Sequence, residues 1–120
     1  DNMAEEFLEK YQAFVKTIMR PDKDPNMSIC NWGLGITGEA ADVASCIKKT
    51  VFHENDKTDG IRENLGDTLW YIGAICNHFG WKMEDIFKEN QEKLSKRFKD
   101  GEFKLKHIQR NGEMRDWNEE

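Results

Sequence analysis

Four successive stretches of this 120-residue chain repeat apolar residues at intervals of three and four, a period that fits packed α-helices and little else. In the first, from Ala4 to Met19, the stripe is Phe7, Leu8, Tyr11, Phe14, Val15 and Ile18. Pro21, Pro25 and the turn-forming residues between them end it, and Ser28 is placed to cap the next helix. The second stripe is Ile36, Ala40, Val43, Ile47 and Val51. The third is Ile61, Leu65, Leu69, Ile72, Cys76 and Phe79, with Thr58 or Asp59 as the cap and Gly80 as the stop. The fourth helix, from about Lys82 to Phe98, buries Met83, Phe87 and Leu94. Beyond Asp100-Gly101 the period is lost. These signals predict an all-α fold, a four-helix bundle-like protomer whose second and third helices form a central antiparallel hairpin. Residues 1–103 are expected to form the domain and residues 104–120 a polar C-terminal extension, packed on a neighbour or mobile.

Composition narrows the function. Charged residues make up 34% of the chain and only 2 are proline, as in a soluble, helix-rich domain. A formal net charge of -5 argues against a nucleic-acid-binding surface over the whole domain, though a polyphosphate remains an eligible ligand where metal ions and a few basic side chains supply local positive charge. No apolar run approaches membrane-spanning length. Cys30, Cys46 and Cys76, odd in number and set in helical surroundings, read as buried thiols of a reducing, cytoplasmic compartment.

The chemistry concentrates in the two central helices. Glu39 and Asp42 are three apart, and Asn64 and Asp67 repeat that spacing on the following helix. Residues three apart share a helix face, so an antiparallel hairpin brings four oxygen-bearing side chains together at the margin of the core. Three of them are carboxylates, which repel one another unless a cation neutralises them, and an all-oxygen donor set favours Mg2+ or Mn2+ over zinc. Glu63 is rotated about 100° from Asn64 and is not counted in the set. His53, His78 and His107 lack metal-site spacing.

Gly33-Leu34-Gly35-Ile36-Thr37-Gly38-Glu39-Ala40-Ala41-Asp42-Val43, Lys48-Lys49, Phe52-His53 and Glu63-Asn64-Leu65-Gly66-Asp67-Thr68-Leu69-Trp70-Tyr71 together closely resemble the MazG-like nucleotide pyrophosphohydrolases, of the all-α NTP pyrophosphatase group. The resemblance spans about Asn31 to Phe103. It implies Mg2+-dependent hydrolysis of a nucleoside triphosphate, a dNTP above all, between the α and β phosphates, with Mn2+ as a possible substitute. It also implies homodimers or homotetramers whose sites draw on neighbouring subunits, and a role in clearing the nucleotide pool.

Carried over by position, the metal ligands are Glu39, Asp42, Asn64 and Asp67, with Glu39 orienting or deprotonating the attacking water. Lys93 and Arg97 clamp the phosphate tail, Lys49 and Asn90 assist, and Trp32, read as lying in a loop before Gly33, meets the nucleobase. The sequence departs from the family pattern at Asp42, a milder replacement for Glu, and at Asn64, where a Glu ligand gives way to a neutral amide. The alternative is therefore a nucleotide-binding or regulatory protein whose turnover is weakened or lost through Asn64. A plain helical module with a solvated acidic edge is the third reading.

Overall fold

The computed structural model describes residues 2–99, 109–110 and 113–114. It is all-α in architecture, with helices α1 (Asn2–Ile18), α2 (Pro25–Phe52), α3 (Thr58–Phe79) and α4 (Met83–Arg97). Two compact units make up the chain, Asp1–Glu84 and Asp85–Glu120. No helix among the described residues is long and apolar enough to cross a membrane.

The helix starts differ from those expected. α2 begins at Pro25, not after Ser28: Asp24 is the N-cap, its carboxylate accepting from Asn26 N at 2.9 Å. Proline suits the first helical position because its missing N–H has no partner there in any case. Ser28 is instead buried inside α2, its hydroxyl accepting from Asp22 N at 2.7 Å. At α3 neither Thr58 nor Asp59 is the cap. Asp56 accepts from Thr58 N at 3.0 Å and from the Thr58 hydroxyl, and these bonds lower its pKa. α3 stops at Gly80, whose φ of 72° is the left-handed conformation glycine adopts without cost.

α2 and α3 run antiparallel. Trp32 and Gly35, early in α2, meet Trp70 and Tyr71, late in α3, while Cys46 meets Gly60 and Asn64. α1 packs on α3 and is pinned by Gln12. The Gln12 amide donates to Asn77 Oδ1 at 3.0 Å and to Trp81 O at 2.9 Å, and its oxygen accepts from Met83 N at 2.7 Å. Its backbone carbonyl accepts from Asn77 Nδ2 at 3.0 Å.

The core is Val15, Trp32 and Ala74, with Tyr11, Met19, Ile29, Trp70, Tyr71 and Ile75 packed around it. Val15 and Tyr11 of the expected α1 stripe are in it and Cys76 of the α3 stripe is buried, but most of the expected α2 and α3 stripes lie to one side. Leu65 is 51% exposed, Leu69 44% and Val51 62%. Small residues decide this, because Gly35, Gly73 and Ala74 let aromatic rings settle between helices where bulkier aliphatic side chains would hold them apart.

Cys76 is buried as expected, but Cys30 is exposed and Cys46 is intermediate. Most of the expected extension lies outside the described residues, His107 included. Within it, Gln109–Arg110 (β1) and Glu113–Met114 (β2) form a short antiparallel ladder pairing Gln109 with Met114 and Arg110 with Glu113. The intervening sequence is Asn-Gly, the dipeptide most favoured in two-residue hairpins, a signal that a search for helical period passes over.

Candidate functional site

At Gly35 the Tyr71 ring of α3 lies directly against the α2 backbone. A Cβ built there would lie 2.6 Å from Tyr71 Cδ1 and closer still to the rest of the ring edge. Further along the seam, Gly60 makes room for Cys46 Sγ, which a Cβ would meet at 3.0 Å. Between these two contacts the antiparallel register sets Glu39 across from Asp67 and Asp42 across from Asn64.

Electrostatics support that register. The Glu39 carboxyl has its pKa raised by partial desolvation first, and then by the charges of Asp67, Asp42 and Glu63. Every one of these influences disfavours its ionised form. Asp67 also reaches α1: the Tyr11 hydroxyl has its pKa raised by burial and, after that, by the Asp67 carboxylate. Tyr11 stands over α3 at Gly73, where a Cβ would meet its ring at 3.6 Å.

Two participants in this field lie beyond the expected set. Glu63 is on a different helix face from Asn64, yet charge acts over several ångströms and a side chain can share the field without sharing the face. Tyr11 gives no sign of its place in the sequence, since its position in the first apolar stripe marks it only as core.

Asn64 donates from Nδ2 to Cys46 Sγ at 3.6 Å, across the hairpin. With the NH2 group turned to sulfur, the amide oxygen is the atom left for a cation. Among the described residues, no three His, Cys, Asp or Glu side chains stand close enough together to hold a metal ion. The donor chemistry still fits a hard divalent cation, being oxygen throughout and carrying a carboxyl whose ionisation its neighbours oppose.

The other expected site residues divide. Lys49 is exposed in the last turn of α2. Trp32 is in a helix, not a loop, and is 7% exposed, with its ring edge-on to Trp70 at a centroid distance of 5.9 Å. Its indole Nε1 is buried without a hydrogen-bond partner. Asn90, Lys93 and Arg97 belong to α4 in the second unit, at spacings that share a helix face but with unequal exposure. Asn90 and Lys93 are exposed, whereas Arg97 is 5% exposed. Lys93 shares a shallow depression with Glu89, Glu92 and Lys96, and Lys96 pairs with Glu92 at 3.4 Å.

The curated Gene 37 protein of Mycobacterium phage L5 is 26% identical over 69 residues, an alignment covering 53% of this chain and 60% of that protein. The chain therefore spans less than two thirds of this relative's length. No solved structure matches the chain. The family model described as the MazG nucleotide pyrophosphohydrolase domain matches residues 30–101, which take in the whole α2–α3 seam from Trp32 to Tyr71. With more than half of its length matched by that model, the chain belongs to the MazG nucleotide pyrophosphohydrolase domain family.

Proposed function

We propose that this chain hydrolyses a nucleoside triphosphate, a dNTP above all, at the bond between the α and β phosphates, releasing the monophosphate and pyrophosphate. Glu39, Asp42 and Asp67, with the Asn64 amide oxygen, would hold Mg2+, for which Mn2+ can substitute. The observation that carries this reading is the family match over residues 30–101, together with the antiparallel α2–α3 register that sets Glu39 across from Asp67 and Asp42 across from Asn64. An all-oxygen donor set supplied by two facing helices suits a hard divalent cation. When bound, the ion offsets charge on the phosphate oxygens and lowers the pKa of a coordinated water.

The chain's own residues carry the remaining work. Glu39, which the register sets across from Asp67, is the group to orient the attacking water and take its proton. Asp67 faces both Glu39 and Tyr11, and so links the α2–α3 seam to α1. Lys49 and Lys93 would meet phosphate oxygens.

The experiment is pyrophosphate release from a panel of nucleoside triphosphates, with and without Mg2+ or Mn2+. Metal-dependent release supports the reading. Tight binding without release supports the alternative of a regulatory nucleotide binder, and neither would overturn both. Asn64→Glu, which restores the family's carboxylate, is expected to raise the rate or the metal affinity by about tenfold, as a charged ligand replaces a neutral one. Measured Mg2+ dependence of the rate checks this, and no change would mean that position 64 is not a ligand. Lys93→Glu is expected to raise KM for the triphosphate severalfold while leaving the melting temperature within a degree or two, because the side chain is exposed.

We also propose a homodimer or homotetramer. On α1, Met3, Phe7, Phe14 and Ile18 are 77%, 69%, 54% and 44% exposed. At 100° per residue these four fall within about 60° of arc, an apolar strip of the kind that marks a binding face. Light scattering after size exclusion is expected to give a mass of two or four chains, and Phe7→Glu with Phe14→Glu to shift it towards one.

A further inference from the structure

We propose that Cys46 is a positioning residue for the candidate metal site, turning the Asn64 carboxamide so that its oxygen, not its NH2, faces Asp42 and Glu39. This rests on the reading of positions 39, 42, 64 and 67 as a cation site and deepens it at the one position where the donor is neutral. An Asn ligand carries a handicap that Glu does not, because half of its head group is a donor that repels a cation. Something must choose between its two orientations.

Two independent contacts converge on the thiol that makes this choice. Asn64 Nδ2 donates to Cys46 Sγ at 3.6 Å, within reach for a sulfur acceptor. Gly60, one turn before Asn64 on α3, leaves the space in which that sulfur sits, with its ideal Cβ position only 3.0 Å from Sγ. The direction of approach then matters. Cys46 is one helical turn beyond Asp42 on α2, so it reaches Asn64 from the side away from Asp42 and Glu39. An amide whose NH2 is drawn to that side leaves its oxygen on the other, the side of Asp42. The thiol thus does for the neutral ligand what charge does unaided for a carboxylate, whose two oxygens are equivalent and need no orienting. A larger residue at position 60 would press on the sulfur and undo the arrangement.

The test is a double-mutant cycle read by binding of Mn2+ alone, followed by the loss of its free-ion paramagnetic resonance signal. Cys46→Ala is expected to weaken binding about fivefold, the worth of one hydrogen bond, and Cys46→Ser, which keeps a small acceptor, to recover most of it. In an Asn64→Asp background, where no NH2 remains to be turned, Cys46→Ala is expected to change binding by less than about 1.5-fold. Equal losses in both backgrounds would overturn the proposal and leave Cys46 a packing residue.

The unmodified protein provides a second measurement, which holds even if the alanine variant fails to fold. On titration with Mg2+, the Asn64 side-chain carbonyl carbon is expected to shift with the carboxyl carbon of Asp67, and the Asn64 NH2 protons, conjugated with that carbonyl, to shift with it. A moving Asp67 with a stationary Asn64 overturns the positioning role and spares the cation site. If neither moves, the cation site itself fails, and this inference with it.

Discussion

Glu39→Gln is expected to lower metal-dependent pyrophosphate release by about 10²–10⁴-fold, the range for removing a general base, and to do so without unfolding the protein. The argument comes from the charges around it. Desolvation and the charges of Asp67, Asp42 and Glu63 all raise the Glu39 pKa, so the ionised carboxylate is a cost to the folded chain. A group whose folded pKa lies above its unfolded value contributes stability at low pH and loses it as pH rises through the folded pKa. Glutamine keeps the shape and removes that cost. The Glu39→Gln protein should accordingly melt no lower than the parent at neutral pH, and it should lose the rise in melting temperature that Mg2+ gives the parent. The same shift belongs to the metal-free protein, where Glu39 is expected to protonate at higher pH than an ordinary carboxylate; bound Mg2+ lowers its pKa again, so activity at low pH is expected to improve as Mg2+ is raised. Pyrophosphate release, thermal melts with and without Mg2+, and the pH profile check these three expectations. A Glu39→Gln enzyme of parental rate would remove Glu39 from the chemistry.

Gly35→Ala is expected to be the most damaging single methyl in the hairpin. The new carbon would overlap the Tyr71 ring, 2.6 Å from Cδ1 and nearer to two other ring atoms, so the ring or the helix must move. Overpacking of this kind costs about 3 kcal/mol, enough to lower the melting temperature of a domain this size by roughly 10–20 °C. The site suffers with the fold, because Gly35 lies one turn before Glu39 and Tyr71 one turn after Asp67. Widening the seam there separates the carboxylates that face across it. Tyr71→Leu in the same chain should recover part of the stability by vacating the space, whereas Tyr71→Leu alone should destabilise by leaving a cavity. Melting temperatures of the four proteins close the cycle. Additive losses would mean that the two residues do not press on each other.

Much of the arrangement is legible in the residues alone. The spacing of Glu39 with Asp42, and of Asn64 with Asp67, puts each pair on one helix face whatever the helix packs against, because the period is a property of the backbone. Gly80 stops α3 as its place in the sequence predicts, since a left-handed residue there strains any other side chain. The start of α2 was harder to read. Asp24-Pro25 is a sound cap and first position, but proline breaks a helix as readily as it begins one, and only the bond from Asn26 N to Asp24 identifies which it does here.

The sequence by itself determined that the chain is helical, where its two central helices carry oxygen donors, and that the family is the MazG one. Tertiary structure alone decided which of two adjacent apolar arcs became the core, setting Trp32, Trp70 and Ala74 inside and leaving Leu65 and Leu69 exposed. It also brought Tyr11 to Asp67, Glu63 to Glu39 and Cys46 to Asn64. The reason is physical: periodicity lies along one helix, whereas the register between two helices depends on where small residues let large rings through, as Gly35 does for Tyr71.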